Sequence, residues 1–550
     1  MKRILPLPRR AWRRALLEID ALAWRRMLSG LRAEARPAFR GRVLVCDLFT
    51  MIGTAKVESL IAGCLSQEGL RSTVLLPRRE PILERLYRAA CPDVEFAYFN
   101  KYLAAVHRRP GEVEAERLMG NAVTTADLSG IERAGVRIGR NALSKVLRIR
   151  REGRLDLSDQ GVRSLVLGAL ADSIQAADAA TMLISEVKPA RALFNERGYT
   201  PAGEVFDACL LSGCDSIQWF GAPRSDSLMY TRYRLANRAM HPMALSPATW
   251  AKLKSLPWTE KNDQAVIETI EANYRDGGWY NRQKLQDGKK RLPADEVRQL
   301  LSLDTARKTA VIFAHILYDA TFFYGESLYD DYEQWLVETV RLAIANPRVN
   351  WIVKVHPVNV WRSQMDDAPL EQLEVQALTQ AFGKLPDHVK IMPADTPINT
   401  ASLFDVADVG LTVRGTIGME LPCLGIPVVT AGTGRYTGLG FTIDPGSREE
   451  YAQVLSALHL QPKLDSETRS LARRHYYGAL TLRPLPMRSF LLDFNANTYG
   501  LKDLAQNTRT VPVRTWQPGE DLRTLAAWIA KDAVSDLLQD EQRALPENDR

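Results

Sequence analysis

The chain has 550 residues, 46% hydrophobic, 25% charged and 8% aromatic, the proportions of an ordinary folded protein rather than a disordered, collagenous or disulfide-stapled one. Its formal charge of +7 is concentrated in residues 1–42, where twelve Lys/Arg face three acids, so the rest is close to neutral. No apolar run approaches the roughly 18 residues of a membrane span, which excludes a polytopic membrane protein.

Residues 1–41 predict a basic amphipathic helix. Trp12, Leu16, Leu17, Trp24, Met27, Leu28 and Leu31 share one face, with Arg14, Arg25, Arg32 and Arg36 opposite. Such a segment either docks on an anionic membrane surface through residues 10–36 or packs on the body of the protein. No apolar h-region with a small-residue cleavage site marks it as a signal peptide. Nucleic acid is not expected as a partner, because no recognition fingerprint or aromatic stacking pattern accompanies the charge.

Residues 42–281 predict a first Rossmann-like domain. It opens with strand Val43–Phe49, helix Ala55–Ser66, strand Ser72–Leu76, helix Ile82–Ala90 and strand Val94–Phe99. A helical insertion over 111–187 follows. The rhythm resumes with strand Arg191–Asn195, helix Gly203–Leu211 and strand Ser216–Phe220. A polar stretch over 282–308 reads as the linker.

Residues 309–485 predict a second domain of the same build. Its strands are Thr309–Ala314, Trp351–Val355, Val389–Ile391, Val409–Val413 and Pro427–Thr430. Its helices are Asp331–Ala345, Glu371–Phe382, Ile398–Val406, Thr416–Leu424 and Arg448–Ala457. Residues 486–550 form a tail with one more amphipathic helix, Leu522–Leu538. The fold class is therefore α/β, two Rossmann-like domains facing across a cleft, and ligands in such sheets bind at the carboxyl ends of the strands. Cys46, Cys64, Cys91, Cys209, Cys214 and Cys423 form no CxxC and read as buried thiols of a reducing compartment.

The strand ends of the second domain carry the most chemistry. Strand Val409–Val413 runs into Arg414-Gly415-Thr416-Ile417-Gly418, where glycines admit a phosphate, amides of a helix start point at it and the Thr416 hydroxyl adds a donor. Arg414 would neutralise phosphate charge and Glu420 would accept from ribose hydroxyls. Gly434 and Arg435 lie in a second glycine-rich loop beside it. Lys354-Val355-His356-Pro357 ends another strand, with His356 a donor to phosphate. His315, with Asp319 nearby, follows the first strand of this domain.

In the first domain the strand ends offer Glu196, Asp226 and Asp47 as catalytic carboxylates that would deprotonate an acceptor hydroxyl or act as nucleophile. The segment 224–238, with four arginines and two tyrosines, reads either as a surface for an anionic acceptor or as a charged helix face. No DxD, HExxH or His/Cys cluster has metal-ligand spacing, so no metal site is expected.

The motif Lys354-Val355-His356-Pro357, combined with Thr412 through Glu420 and Gly425-Ile426-Pro427-Val428-Val429, resembles the C-terminal half of bacterial capsule polysaccharide biosynthesis proteins, which include capsular Kdo transferases. Gly434-Arg435-Tyr436 and Gly438-Leu439 also fit, and the resemblance covers roughly residues 350–445. It implies a metal-independent glycosyltransferase of the GT-B type, with the donor nucleotide phosphate contacted by His356 and Thr416. The nucleotide-sugar, plausible as CMP-linked, is then a substrate, and no cofactor is expected. The acceptor would be a glycolipid or polysaccharide, and the location cytoplasmic or peripheral on the inner membrane face. Two departures stand out: Leu421-Pro422-Cys423 puts proline where relatives continue a helix, and no acidic-acidic-glycine motif of the sialyltransferase type occurs in the first domain. A sugar-nucleotide epimerase and a non-catalytic nucleotide-sugar or glycan-binding scaffold are the alternative readings.

Overall fold

A computed structural model describes residues 7–29, 37–120, 122–223, 227–275, 285–286, 288–366, 369–493, 507–509 and 517–539. The chain opens with α1 (Leu7–Met27), then β1 (Gly41–Cys46), α2 (Ile52–Gln67), β2 (Leu70–Leu76), α3 (Pro81–Ala90) and β3 (Glu95–Tyr98). A run of helices follows: α4 (Phe99–Ala105), α5 (Arg108–Met119), α6 (Thr125–Ser129), α7 (Ile138–Arg150) and α8 (Gln160–Val187). Then come β4 (Arg191–Phe194), α9 (Ala202–Leu211), β5 (Asp215–Gly221) and β6 (Ser227–Tyr233). Helices α10 (Pro247–Ser255), α11 (Glu260–Arg275) and α12 (Ala294–Leu300) lead to the second sheet.

The second half comprises β7 (Lys308–Phe313), α13 (Tyr332–Ile344), β8 (Val349–Lys354), α14 (Val358–Asp366), α15 (Leu373–Phe382), β9 (Val389–Met392), β10 (Val409–Thr412), α16 (Ile417–Cys423), β11 (Val428–Thr430), α17 (Arg448–Ser456) and α18 (Ser466–Tyr476). The chain ends its described course with β12 (Leu485–Pro486), β13 (Leu491–Asp493), β14 (Asn507–Arg509) and α19 (Glu520–Ala530).

The expected class holds: two α/β domains, each around its own sheet. The first sheet has the order β12-β6-β5-β4-β1-β2-β3 and the second β11-β10-β7-β8-β9. The second is parallel throughout, and β8 is buried at all six positions, as a parallel strand covered on both faces must be. The strand ends named above therefore gather on one rim of each sheet.

Several elements depart from the sequence expectation. Strand β1 stops at Cys46 instead of Phe49, because the Asp47 carboxylate accepts the Thr50 amide at 3.0 Å and turns the chain. The helix expected over Ile398–Val406 is one short 3-10 turn, Thr400–Leu403, capped by the Asn399 side chain on the Ala401 amide. Within 224–238, residues Ser227–Tyr233 form the buried antiparallel strand β6 rather than a charged helix face. Arg232 and Arg234 both turn back to Asp215, at 2.9 and 2.8 Å, so neither offers a ready charge to an acceptor.

The insertion helices build a core of their own around Leu143, Leu147, Val166 and Leu170, and Phe322 of the second domain is buried in it. The tail returns to the first domain, where Leu485 pairs with Leu228 and α19 packs on α2. Helix α1 lies on α3, with Ala21, Trp24 and Leu28 buried in the first-domain core. The single apolar face read from the sequence is thus divided, since Trp12 stays 54% exposed. Among the described residues no helix is long and apolar enough to cross a membrane.

Candidate functional site

Strand β8 ends at Lys354, and the turn beyond it orients His356. The Val358 amide donates to His356 Nδ1 at 3.2 Å, so the neutral ring carries its proton on Nε2. Burial, reinforced by the charges of Lys354 and Arg362, drives the imidazole pKa down to about 3. At neutral pH His356 is an uncharged donor. Lys354 is itself buried, its ammonium donating to the Val355 carbonyl at 2.8 Å. Desolvation and the neighbouring Lys289 lower its pKa to about 7.

The turn after β10 is tightly internalised. The Thr412 hydroxyl accepts the Gly415 amide at 3.0 Å and faces His315 Nε2 at 3.0 Å, while the Val413 amide donates to the same nitrogen at 3.2 Å. His315 therefore shapes this turn through Nε2, stacked on Tyr332 at 4.5 Å. Burial, with Arg414 and His356 next, holds its pKa well below the usual range. The Gly418 amide returns to the Gly415 carbonyl at 3.1 Å, which also accepts the Tyr436 hydroxyl at 2.8 Å. A Cβ at Gly418 would stand 1.9 Å from that hydroxyl, so only glycine fits. The anion cradle expected here has two of its amides, those of Gly415 and Gly418, already engaged.

Arg414 departs from its expected role as a counter-charge. Its buried guanidinium donates to the carbonyls of Tyr324 at 2.8 Å and Glu326 at 3.0 Å and to the Ser327 hydroxyl, tying down the loop after β7. The Gly434–Arg435 loop is likewise used between segments: the Gly434 carbonyl accepts the His241 amide at 2.8 Å, and Arg435 meets His241 Nε2 at 2.5 Å. The Thr416 hydroxyl, like that of Tyr274, is among the groups that lower the Glu420 pKa against its burial. Glu420 Oε2 accepts the Tyr274 hydroxyl at 2.5 Å, whereas its buried Oε1 has no hydrogen-bond partner among the described residues. Burial lifts the Glu420 pKa to about 7.

On the first-domain rim, Glu196 follows β4. Its Oε1 accepts the amides of Arg197 at 2.7 Å and Gly198 at 3.1 Å, which fixes the carboxylate against the turn. Desolvation raises its pKa, opposed by those amides and by Arg148. Three residues on, the Tyr199 hydroxyl donates across the cleft to Asp319 Oδ1 at 2.9 Å. Arg362, from α14, donates to the other oxygen of Asp319 at 2.9 Å. The charges of Asp319 and Arg362 both act on His356. The charge of Asp319 thus acts on both Glu196 and His356, which are far apart in sequence.

Asp47 lies elsewhere. It is enclosed within the first domain, sharing the Tyr87 hydroxyl with Glu58 at 3.0 and 2.7 Å, and Trp219 donates to Glu58 at 2.9 Å. Burial raises both carboxyl pKa values, and the pair is a core polar network rather than a cleft group. Asp226 lies outside the described residues.

The sequence reading missed Arg148 and Arg362. Arg148 is exposed on the insertion helix α7, its guanidinium 4.5 Å from the centre of the Tyr199 ring, with Asp319 and Glu196 among the charges acting on it. Arg148 is one of several arginines near the end of α7, and only the fold singles it out. Among the described residues no group of three or more His, Cys, Asp or Glu is placed to hold a metal ion.

No protein-family model matches the chain, and no curated protein matches it. Among solved structures, a Thermosulfurimonas dismutans KpsC β-Kdo 2,4 transferase is 16% identical, covering 57% of this chain and 85% of its own, with a TM-score of 0.32. The UDP-GlcNAc 2-epimerase of Neisseria meningitidis bound to UDP-GlcNAc is 11% identical, covering 80% and 97%, with a TM-score of 0.26. Anabaena HepE in complex with UDP-glucose is 13% identical, covering 80% and 94%, with a TM-score of 0.27.

Proposed function

We propose that the chain is a glycosyltransferase that moves a sugar from a nucleotide-activated donor, CMP-linked, to a glycolipid or polysaccharide acceptor in surface polysaccharide assembly. The observation that supports this reading is Asp319, which accepts the Tyr199 hydroxyl from the Glu196 turn and the Arg362 guanidinium, and whose charge acts on both Glu196 and His356. In this reading His356 Nε2–H donates to the donor phosphate, and a ribose hydroxyl satisfies the unpartnered Oε1 of Glu420. Glu196 takes the proton of the acceptor hydroxyl as its oxygen bonds to the anomeric carbon. The bond from that carbon to the phosphate oxygen breaks, and its electron pair leaves with the nucleotide. In this reading His356 is the side-chain donor to the phosphate, and no metal takes part. The guanidinium of Arg148, beside the Tyr199 ring, suits an anionic group of the acceptor.

A thermal-shift series with CMP, CDP, UDP, GDP and ADP tests the donor site. One nucleotide, expected to be CMP, raises the melting temperature of the wild type and shifts His356→Ala far less, since a ligand bound only to the folded state stabilises it. Equal shifts in both proteins would remove His356 from the nucleotide site.

A further inference from the structure

Helix α1 carries two apolar faces. One, formed by Ala21 and Trp24 and continued by Leu28 just beyond the helix, is buried against the first domain. The other runs along the outside: Trp12, Ala15, Ile19, Leu22 and Ala23 fall within one arc of the helical wheel, and all five are exposed. Trp12 is 54%, Ile19 58% and Leu22 50% exposed, so this is an apolar stripe that none of the described residues covers.

The charges of α1 are sorted in the same way. Its two acids turn toward the body and are neutralised there, Asp20 by Lys56 at 2.8 Å and Glu18 by Arg85. Arg14, Arg25 and Arg26 are exposed. The outer surface of the helix is therefore apolar and positive, with no acid left to repel an anion. A tryptophan near one end and arginines along the apolar stripe are what the boundary of an anionic bilayer accommodates. A buried protein interface, by contrast, would have to desolvate those guanidinium groups.

We propose that the outward stripe of α1, Trp12–Ala15–Ile19–Leu22–Ala23 with Arg25 and Arg26, docks the protein flat on an anionic lipid surface. The residues that enter the lipid are not the Trp24 and Leu28 face, which is already occupied. The proposal rests on α1 alone, so its failure and that of the glycosyltransferase reading are separable.

The test is co-sedimentation of the full chain with vesicles of phosphatidylcholine alone and of phosphatidylcholine mixed with phosphatidylglycerol. The wild type is expected to bind only the anionic vesicles and to be released by salt. Ile19→Glu/Leu22→Glu and, separately, Arg25→Glu/Arg26→Glu should each weaken that binding by about tenfold or more while keeping the wild-type melting temperature, because the four positions are exposed. Failure of the wild type to bind, binding indifferent to lipid charge, or variants that bind as the wild type does would each overturn the proposal. So would a wild-type dimer in solution that Ile19→Glu/Leu22→Glu converts to monomer, which would assign the stripe to a second copy of the chain.

Discussion

Glu420 shows how one residue answers to two demands. Its buried Oε1 has no hydrogen-bond partner among the described residues, and burial lifts the carboxyl pKa to about 7. Between about 4.5 and 7 the folded state holds a proton that the unfolded chain has released, so this group makes stability fall as pH rises, by about 1.4 kcal/mol per pH unit. Glu420→Gln cannot titrate. Its melting temperature relative to the wild type is expected to climb from pH 5 to pH 7.5, and a constant difference across that range would mean that the carboxyl is ionised throughout. The turn around Gly418 was legible in the sequence, because a strand end followed by glycines and a helix start is a local pattern. The role of Arg414 was not. It donates to carbonyls about ninety residues earlier, a pairing no local pattern encodes.

At the scale of elements, the loop between β7 and α13 links the two domains. Phe322 enters the insertion core, Phe323 meets Tyr199 edge-on at 5.2 Å, and Arg140 reaches Glu326 at 2.8 Å. Phe322→Ala should lower unfolding stability by on the order of 3 kcal/mol, read as a reduced denaturant midpoint. A change below about 0.5 kcal/mol would show that the loop merely rests on the insertion. The strands β1, β7, β8 and β10 were readable because β-branched runs in covered parallel sheets are nearly continuous. Strand β6 was missed because Arg232 and Arg234 make it look solvated, although Asp215 neutralises both. The insertion was legible as helical but not as a wall of the cleft, since Arg148 acquires its neighbours only through the fold.

For the whole molecule, the cleft exists because the chain crosses between domains more than once. Strand β12 and helix α19 return to the first domain, and His241 binds the Gly434–Arg435 loop. These ties hold the Glu196 rim against the His356 rim, which neither domain achieves alone. The central claim is that Glu196 performs proton transfer while His356 binds the leaving nucleotide. The most direct measurement is nucleotide release from a CMP-activated sugar in the presence of acceptor, paired with nucleotide affinity, for Glu196→Gln and His356→Ala. Glu196→Gln is predicted to lose about 100-fold or more in turnover while its nucleotide affinity stays at the wild-type level, and His356→Ala to lose both. Turnover of Glu196→Gln at the wild-type rate would contradict the account.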